Sequence, residues 1–204
     1  MERGRPRNFD PDIALDRALQ VFWRDGFQGA SLSTLTEAMG INKPSLYATF
    51  GDKESLYLSA LKRYRECESA HHGQVLDTEP DARRAVEAFL HSCVRSLTDP
   101  AKPGGCFVLN GTADCGQVDT PAAIQVALRQ ALRVSETMIK ERLKRASEDG
   151  QLPANTDVSA LAAYFFTVLS GLGVQAKSGA SRVKLFSVVG AAMRGWPEPE
   201  RQPR

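Results

Sequence analysis

Between Ser31 and Lys53 the polar residues and the apolar ones separate by spacing, and the polar set has a recognisable chemistry. Ser33, Thr34, Lys43, Ser45, Tyr47, Thr49 and Lys53 fall off the apolar positions. They are hydroxyls, an amphipathic ring and cations, the groups that bond phosphates and the edges of bases. Lys43 could donate to guanine O6 or N7, and Pro44 could touch a thymine methyl. Tyr47, Thr49 and Lys53 suit contacts to phosphate that set register. Arg3, Arg5 and Arg7 alternate on a Gly/Pro arm, a form that fits a narrow minor groove. The competing readings are a three-helix packing unit with a solvated polar face, and a merely basic chain end.

These residues need short helices to carry them, and the stop and start signals are present. Asp10 and Pro11 open a helix with Leu15, Ala18, Leu19 and Phe22 on one face, stopped at Gly26. Ser31 caps a second helix bearing Leu32, Leu35, Ala38 and Met39, and Gly40 with Ile41 ends it as a Schellman turn. Asn42 caps a third, Lys43 to Phe50, and Asp52 caps a fourth that fades near His71-His72-Gly73. Two short helices around a tight glycine turn describe a helix-turn-helix, with the start of the third helix aimed at the major groove.

Beyond residue 80 the periodicity stays helical, without sustained alternation of period two. Helices are expected over Pro80–Leu97, from near Cys106, over Pro121–Asp149, Asn155–Lys177 and Ser181–Arg194. Lys140, Arg142, Lys144 and Arg145 close the long helix, where cations suit its dipole. The fold class is all-α: a three-helix, homeodomain-like helix-turn-helix joined to a larger helical body. The expected divisions are an arm over 1–9, a DNA-binding unit over 10–60, a body over 61–195 and a mobile tail over 196–204.

Asp25-Gly26-Phe27, Ser31-Leu32, Leu35, Ala38-Met39-Gly40-Ile41, Lys43-Pro44-Ser45-Leu46-Tyr47, Phe50 and Asp52-Lys53-Glu54-Ser55-Leu56 resemble the DNA-binding domain of the TetR/AcrR family of transcriptional regulators. The likeness spans about residues 8–60 without a gap. It implies Tyr47 and Lys53 as phosphate anchors and Lys43, Pro44 and Ser45 on the recognition helix. Thr49 departs from the larger residue common at its position. The resemblance also implies a variable ligand-binding body whose last two helices form a dimer interface. Leu161, Phe165, Val168, Leu172, Phe186, Val189 and Met193 are the residues expected there. A symmetric dimer would match a palindromic operator.

Cys106, at the start of a helix after Pro103-Gly104-Gly105, is the candidate sensor, because a thiol in that place can have a lowered pKa. Cys93 and Cys115 are candidate resolving partners, and Phe89, His91, Cys93, Phe107, Tyr164, Phe165 and Phe166 would line an apolar cavity if they converge. A small buried cysteine in plain core is the alternative. Cys67 and His71 stand four apart but read as a solvated helix end, so no metal and no cofactor are expected. No catalytic triad, P-loop or dinucleotide fingerprint occurs.

The 204 residues, 42% apolar and 25% charged, suit a globular chain. Four cysteines without framework spacing fit a reducing cytoplasm, and neither a signal peptide nor an uninterrupted apolar run of spanning length is visible. The expected protein is a cytoplasmic, homodimeric, ligand-responsive repressor with an unknown small-molecule inducer and no membrane partner. A purely thiol-switched regulator and a cysteine-dependent enzyme on a helical scaffold are the alternatives. Net charge is only +2, and residues 1–53 hold seven Lys/Arg against seven Asp/Glu. Positive charge is placed rather than abundant, which predicts weak non-specific DNA binding and a moderate salt slope. Deleting residues 1–7 is expected to weaken operator binding and flatten that slope in a salt titration. Unchanged affinity and slope would exclude the arm from the interface.

Overall fold

The computed structural model describes residues 9–116 and 119–198, so the arginine arm and the end of the tail lie outside the described residues. Within them the chain is helical, with no strand. The local signals at the N-terminal helices act as their chemistry requires. Asp10 caps α1 (Pro11–Gly29) by accepting from the Asp12 and Ile13 N–H groups. Ser31 caps α2 (Leu32–Met39), Asn42 caps α3 (Lys43–Phe50) and Asp52 caps α4 (Lys53–Tyr64), each accepting from the N–H three residues on. Gly40 takes φ +69°, and the Gly40 and Ile41 N–H groups close back on Glu37 and Thr36 carbonyls.

Two expected helix ends move. Gly26, at φ 73° and ψ −179°, breaks the helical path, but the helix resumes to Gly29, and the break turns Phe27 into the core. α4 does not fade near His71. It passes through a wider π turn, Arg65–Ser69, into α5 (Ala70–Thr78). The reason is tertiary: Glu68 is held by Lys102 and Ser96, His72 by Ser92, and Leu76 is buried. The body continues with α6 (Ala82–Leu97), short α7 (Phe107–Gly111), long α8 (Ala122–Glu148), α9 (Val158–Lys177) and α10 (Arg182–Met193).

Two apolar clusters organise these helices. The first joins α1 to α4 with Phe107 and Val108 of α7 and with Ile124, Leu128 and Ala131 of α8. The second joins α5, α6, the far half of α8, α9 and α10. Cys106 packs against both.

Arg142 corrects a sequence expectation. Lys140, Lys144 and Arg145 are exposed, as helix-end cations should be, but Arg142 is only 4% exposed. Its Nε donates to the Leu76 carbonyl at 3.0 Å, and its Nη2 donates to the Glu79 and Pro80 carbonyls at 3.0 and 2.9 Å. The Leu76 carbonyl is one that the end of α5 leaves without a helical partner, and Glu79 and Pro80 follow that end directly. The guanidinium therefore pins α5 to α8. Arg142→Met removes the donors and strands the carbonyls, so it is expected to lower unfolding free energy by about 2–4 kcal/mol. Urea denaturation checks this, and a loss within about 0.5 kcal/mol would show the clasp to be dispensable.

Candidate nucleic-acid interface and its linked cavity

Because Asn42 caps α3 from outside, the first turn of that helix begins with Lys43, Pro44 and Ser45, and Leu46 is left to enter the core. Lys43, Pro44 and Tyr47 are exposed, while Ser45 and Thr49 are half-buried. Tyr47, at 49% exposure, stands out for an aromatic ring beside a formed core. At the start of α2 Ser33 is exposed and Thr34 half-buried, and the Ser31 hydroxyl lies 2.8 Å from both of theirs. The three hydroxyls form one polar cluster at a helix N-terminus, where the backbone dipole favours an anion. Lys53 stands in the first turn of α4 with its Nζ 4.5 Å from the centroid of the Phe27 ring. Arg3, Arg5 and Arg7 lie outside the described residues.

Behind this face, the body holds a narrow cavity of about 80 Å³. Phe89, Cys93, Cys106 and Phe166 line it, as the sequence suggested, but Cys115, Phe107 and Phe165 do not. Cys115 packs with the first cluster, and Phe107 and Phe165 are core residues. His91 lies against the Phe186 ring, and Tyr164 is exposed. Sequence reasoning missed Tyr64, Glu68, His72 and Ser96, which give the cavity its polar edge. By spacing Tyr64 falls on the apolar stripe of α4 with Leu56 and Leu61, and Glu68 carries no signal without the π turn that places it.

The Cys106 thiol accepts a hydrogen bond from the Tyr64 hydroxyl at 3.3 Å. Burial pushes its pKa up, outweighing Tyr64 and the Leu109 and Val108 N–H groups, which all pull it down. The expected lowering at a helix start is thus overturned: α7 is a single short helix, and desolvation of the thiolate costs more than its dipole returns. Burial also pushes Cys93 well above the ordinary thiol range. Both thiols rest protonated at neutral pH.

An aromatic column connects this wall to the outer face. Tyr64 meets Phe107 edge-on at 5.5 Å and Trp23 at 5.0 Å. Phe107 lies 5.3 Å from Tyr57, Tyr57 lies 5.5 Å from Phe27, and Phe27 carries Lys53. The contacts run without a gap from the cavity thiol to a cation at the start of α4.

The last two helices need a correction. Of the residues expected at a dimer interface, Phe165, Leu172, Val189 and Met193 are buried in the protomer's own core, and Leu161, Val168 and Phe186 are half-buried against it. An apolar stripe cannot show from sequence which side meets its own core. The exposed side of α9 is Ala160, Tyr164, Thr167, Gly171 and Val174, at alternating spacings of four and three residues. Val183, Ser187, Val188 and Ala191 are exposed on α10. α9 is long and apolar enough to cross a membrane by length and composition, beyond what the uninterrupted runs suggested, yet only 22% of its most apolar window is buried.

Comparison with known proteins agrees with this architecture. Residues 14–60 match the family of bacterial regulatory proteins, tetR family, and residues 82–184 match the tetracyclin repressor-like, C-terminal domain. The chain is 33% identical over 197 residues to the HTH-type transcriptional repressor ComR of Escherichia coli (strain K12), covering 96% of this chain and 93% of that one. It is 31% identical over 192 residues to the HTH-type transcriptional repressor BdcR of the same organism, covering 94% and 90%. Among solved structures, a cysteine mutant of the TetR family transcriptional regulator CifR, complexed with 26-base-pair double-strand operator DNA, superposes with a TM-score of 0.90 at 43% identity. That superposition covers 95% of this chain and 100% of that one.

The cavity edge has a pH signature. His72 shares a 2.9 Å hydrogen bond with the Ser92 hydroxyl, and burial lowers its pKa to about 4 from 6.5, partly opposed by Glu68. Below pH 6.5 the unfolded chain takes up a proton that the folded one refuses. Stability should therefore fall as pH drops from 6.5 and level off near 4. Thermal melts of His72→Gln should lose this part of the decline, and parallel curves between pH 6.5 and 5 would show that His72 does not contribute it.

Proposed function

The chain belongs to the TetR family of DNA-binding transcriptional regulators, and from that premise we propose that it is a homodimeric cytoplasmic repressor of a palindromic operator, released by occupation or modification of the Cys106 cavity. The single observation that carries this reading is the unbroken packing from Cys106 through Tyr64, Phe107, Tyr57 and Phe27 to Lys53. Anything that displaces Tyr64 from the thiol must repack the aromatic core on which α1 and α4 rest.

The DNA side follows from the exposed first turn of α3. Lys43, Pro44 and Ser45 read bases, Tyr47 and Lys53 hold phosphates, and Ser33, Thr34 and Thr49 add hydroxyls at the edge of the contact. One such helix covers only a half-site. Two of them, set roughly 34–36 Å apart by a two-fold axis, would engage successive major grooves. The stripe Ala160, Tyr164, Thr167, Gly171 and Val174, with Val183, Val188 and Ala191, supplies the four-helix interface, since its small residues permit close approach. An effector stabilises whichever dimer holds the two α3 helices at another spacing. The cavity wall is mostly apolar, with Tyr64, Ser96 and the thiol at its polar edge, which suits a compact apolar effector with one acceptor group. A thiol-only switch is the second reading, favoured by the Tyr64 hydrogen bond to Cys106.

Fluorescence anisotropy on DNA from the chain's own promoter region tests the proposal. Lys43→Ala is expected to weaken binding about tenfold, equivalent to a loss of about 1.4 kcal/mol. Cys106→Ser should bind normally yet resist release by N-ethylmaleimide. Wild-type-like binding by Lys43→Ala and Tyr47→Ala together would remove α3 from the interface. Equal release of wild type and Cys106→Ser would remove Cys106 from the switch.

A further inference from the structure

The wall of the inner cavity at Glu68 is also the wall of a second space. A polar groove of about 240 Å³ lies on the outer side, lined by Cys67, His71, Arg95, Asp99 and Lys102. Glu68, His72 and Ser96 line both the groove and the inner cavity that holds Cys106. Three side chains therefore form the partition between them.

The partition is closed by a hydrogen-bonded triangle. The Lys102 ammonium donates to Glu68 Oε1 at 2.5 Å and to the Ser96 hydroxyl at 2.9 Å, and that hydroxyl donates to Glu68 Oε2 at 2.6 Å. Both charged side chains are about one-fifth exposed, 22% for Lys102 and 21% for Glu68, so screening by water is limited. Burial alone would raise the Glu68 carboxyl, yet the bonds from Lys102 and Ser96 and the Lys102 charge hold it below its usual range. The triangle thus persists at neutral pH.

Its members belong to three separate elements. Glu68 comes from the π turn between α4 and α5, Ser96 from the last turn of α6, and Lys102 from the Pro/Gly loop that leads to Cys106. A π turn holds its extra residue at a cost in backbone geometry and is common where a helix serves a site. A loop closed onto such a turn by one ion pair can open without unfolding either neighbouring helix.

We propose that the Lys102–Glu68–Ser96 triangle is a gate through which compact molecules pass from the outer groove to Cys106, and that it excludes bulky ones while closed. The inference rests on the cavity being the effector site. It adds that Lys102 and Glu68 set which molecules reach the thiol, and how fast, without themselves being reactive. The groove side offers both charges and imidazoles, whereas the inner wall beyond the partition is mostly apolar, so the passage favours small neutral molecules over ions.

The test measures access to the thiol directly, without DNA. Full-length protein in a Cys67→Ser background is treated with iodoacetamide or with fluorescein maleimide, and alkylation of Cys106 is followed by site-resolved mass spectrometry. The maleimide adds across its double bond, with sulfur on one carbon and the thiol proton ending on the other. Iodoacetamide transfers its carbon to sulfur and releases iodide and a proton. Lys102→Met should speed the maleimide reaction about tenfold or more, the factor expected from losing about 1.4 kcal/mol of charged hydrogen bonding. The small reagent should gain far less, and the pH midpoint of its rate should not move. The swapped pair, Lys102→Glu with Glu68→Lys, should restore slow maleimide labelling.

Equal acceleration of both reagents, or a shifted midpoint, would mean that the charges act on the thiol rather than on passage. No acceleration in a folded Lys102→Met protein would place the passage elsewhere. Either result overturns the gate. Neither touches the switch itself, which fails separately if the fully alkylated protein still binds operator DNA.

Discussion

The helix-turn-helix of this chain cannot close its own core. Its short α2 and α3 contribute few wholly buried side chains, Leu35, Met39 and Leu46 among them. A unit of that size buries too little apolar surface to hold its helices at fixed angles. The deficit is met from the body, where α7 inserts Phe107 and Val108 and α8 adds Ile124 and Leu128 to the cluster built on Phe22, Trp23, Tyr57 and Tyr64. The orientation of the DNA-facing helices is consequently not a property of the N-terminal unit alone. It rests on α1 and α4, against which α7 packs, and α7 starts directly after its cap residue Cys106. Close packing makes this consequential, because a shift of even a methylene's width in such a cluster has to be accommodated by its neighbours. The Gly111 backbone lies so near the Tyr57 hydroxyl that a Cβ there would come within 2.6 Å of it, leaving α7 little room to drift.

Charge follows the same economy. The DNA-facing unit is almost neutral in formal terms, so affinity cannot come from a broad basic surface. Its positive potential is concentrated instead at three capped helix starts and at Lys43 and Lys53. Lys53 is oriented by the ring beneath it, and that ring belongs to the aromatic column. A lysine held by packing would lose less side-chain entropy on meeting a phosphate than a free one. Its position also reports on the packing underneath it.

Much of this was legible in the residues, and the parts that were not share a cause. Ser31, Asn42 and Asp52 act on backbone within three residues, so their caps, and with them the helix-turn-helix, follow from local chemistry. Arg142, Glu68 and the faces of α9 and α10 depend on which distant element arrives. Arg142 reads as a helix-end cation until α5 and the turn after it bring three carbonyls to it. Phe165 and Val189 satisfy an interface pattern as well as a core pattern, since periodicity records that a face is apolar and not what covers it. The thiol of Cys106 shows the same limit in energy terms. A helix start lowers its pKa, but the size of the opposing desolvation is set by Tyr64, Phe166 and their neighbours.

The remaining link runs between the cavity and the helix that offers an exposed stripe. Gly173 on α9 has no side chain, and a Cβ there would fall 2.5 Å from Leu109 and 3.9 Å from the Cys106 Cβ. α9 therefore approaches α7 closely at this glycine, its backbone meeting the Leu109 side chain and the Cys106 Cβ. The opposite side of α9 carries Thr167, Gly171 and Val174. The segment beginning at Cys106 is thus clamped between an α9 whose outer face is free to meet a second copy and an α4 whose first turn carries Lys53. Two close contacts on one short segment leave it few independent motions. A change at the thiol large enough to move α7 must be shared by both helices at once. That physical condition is what a regulator needs for one small event to alter the spacing of two DNA-facing surfaces together, rather than loosening each alone.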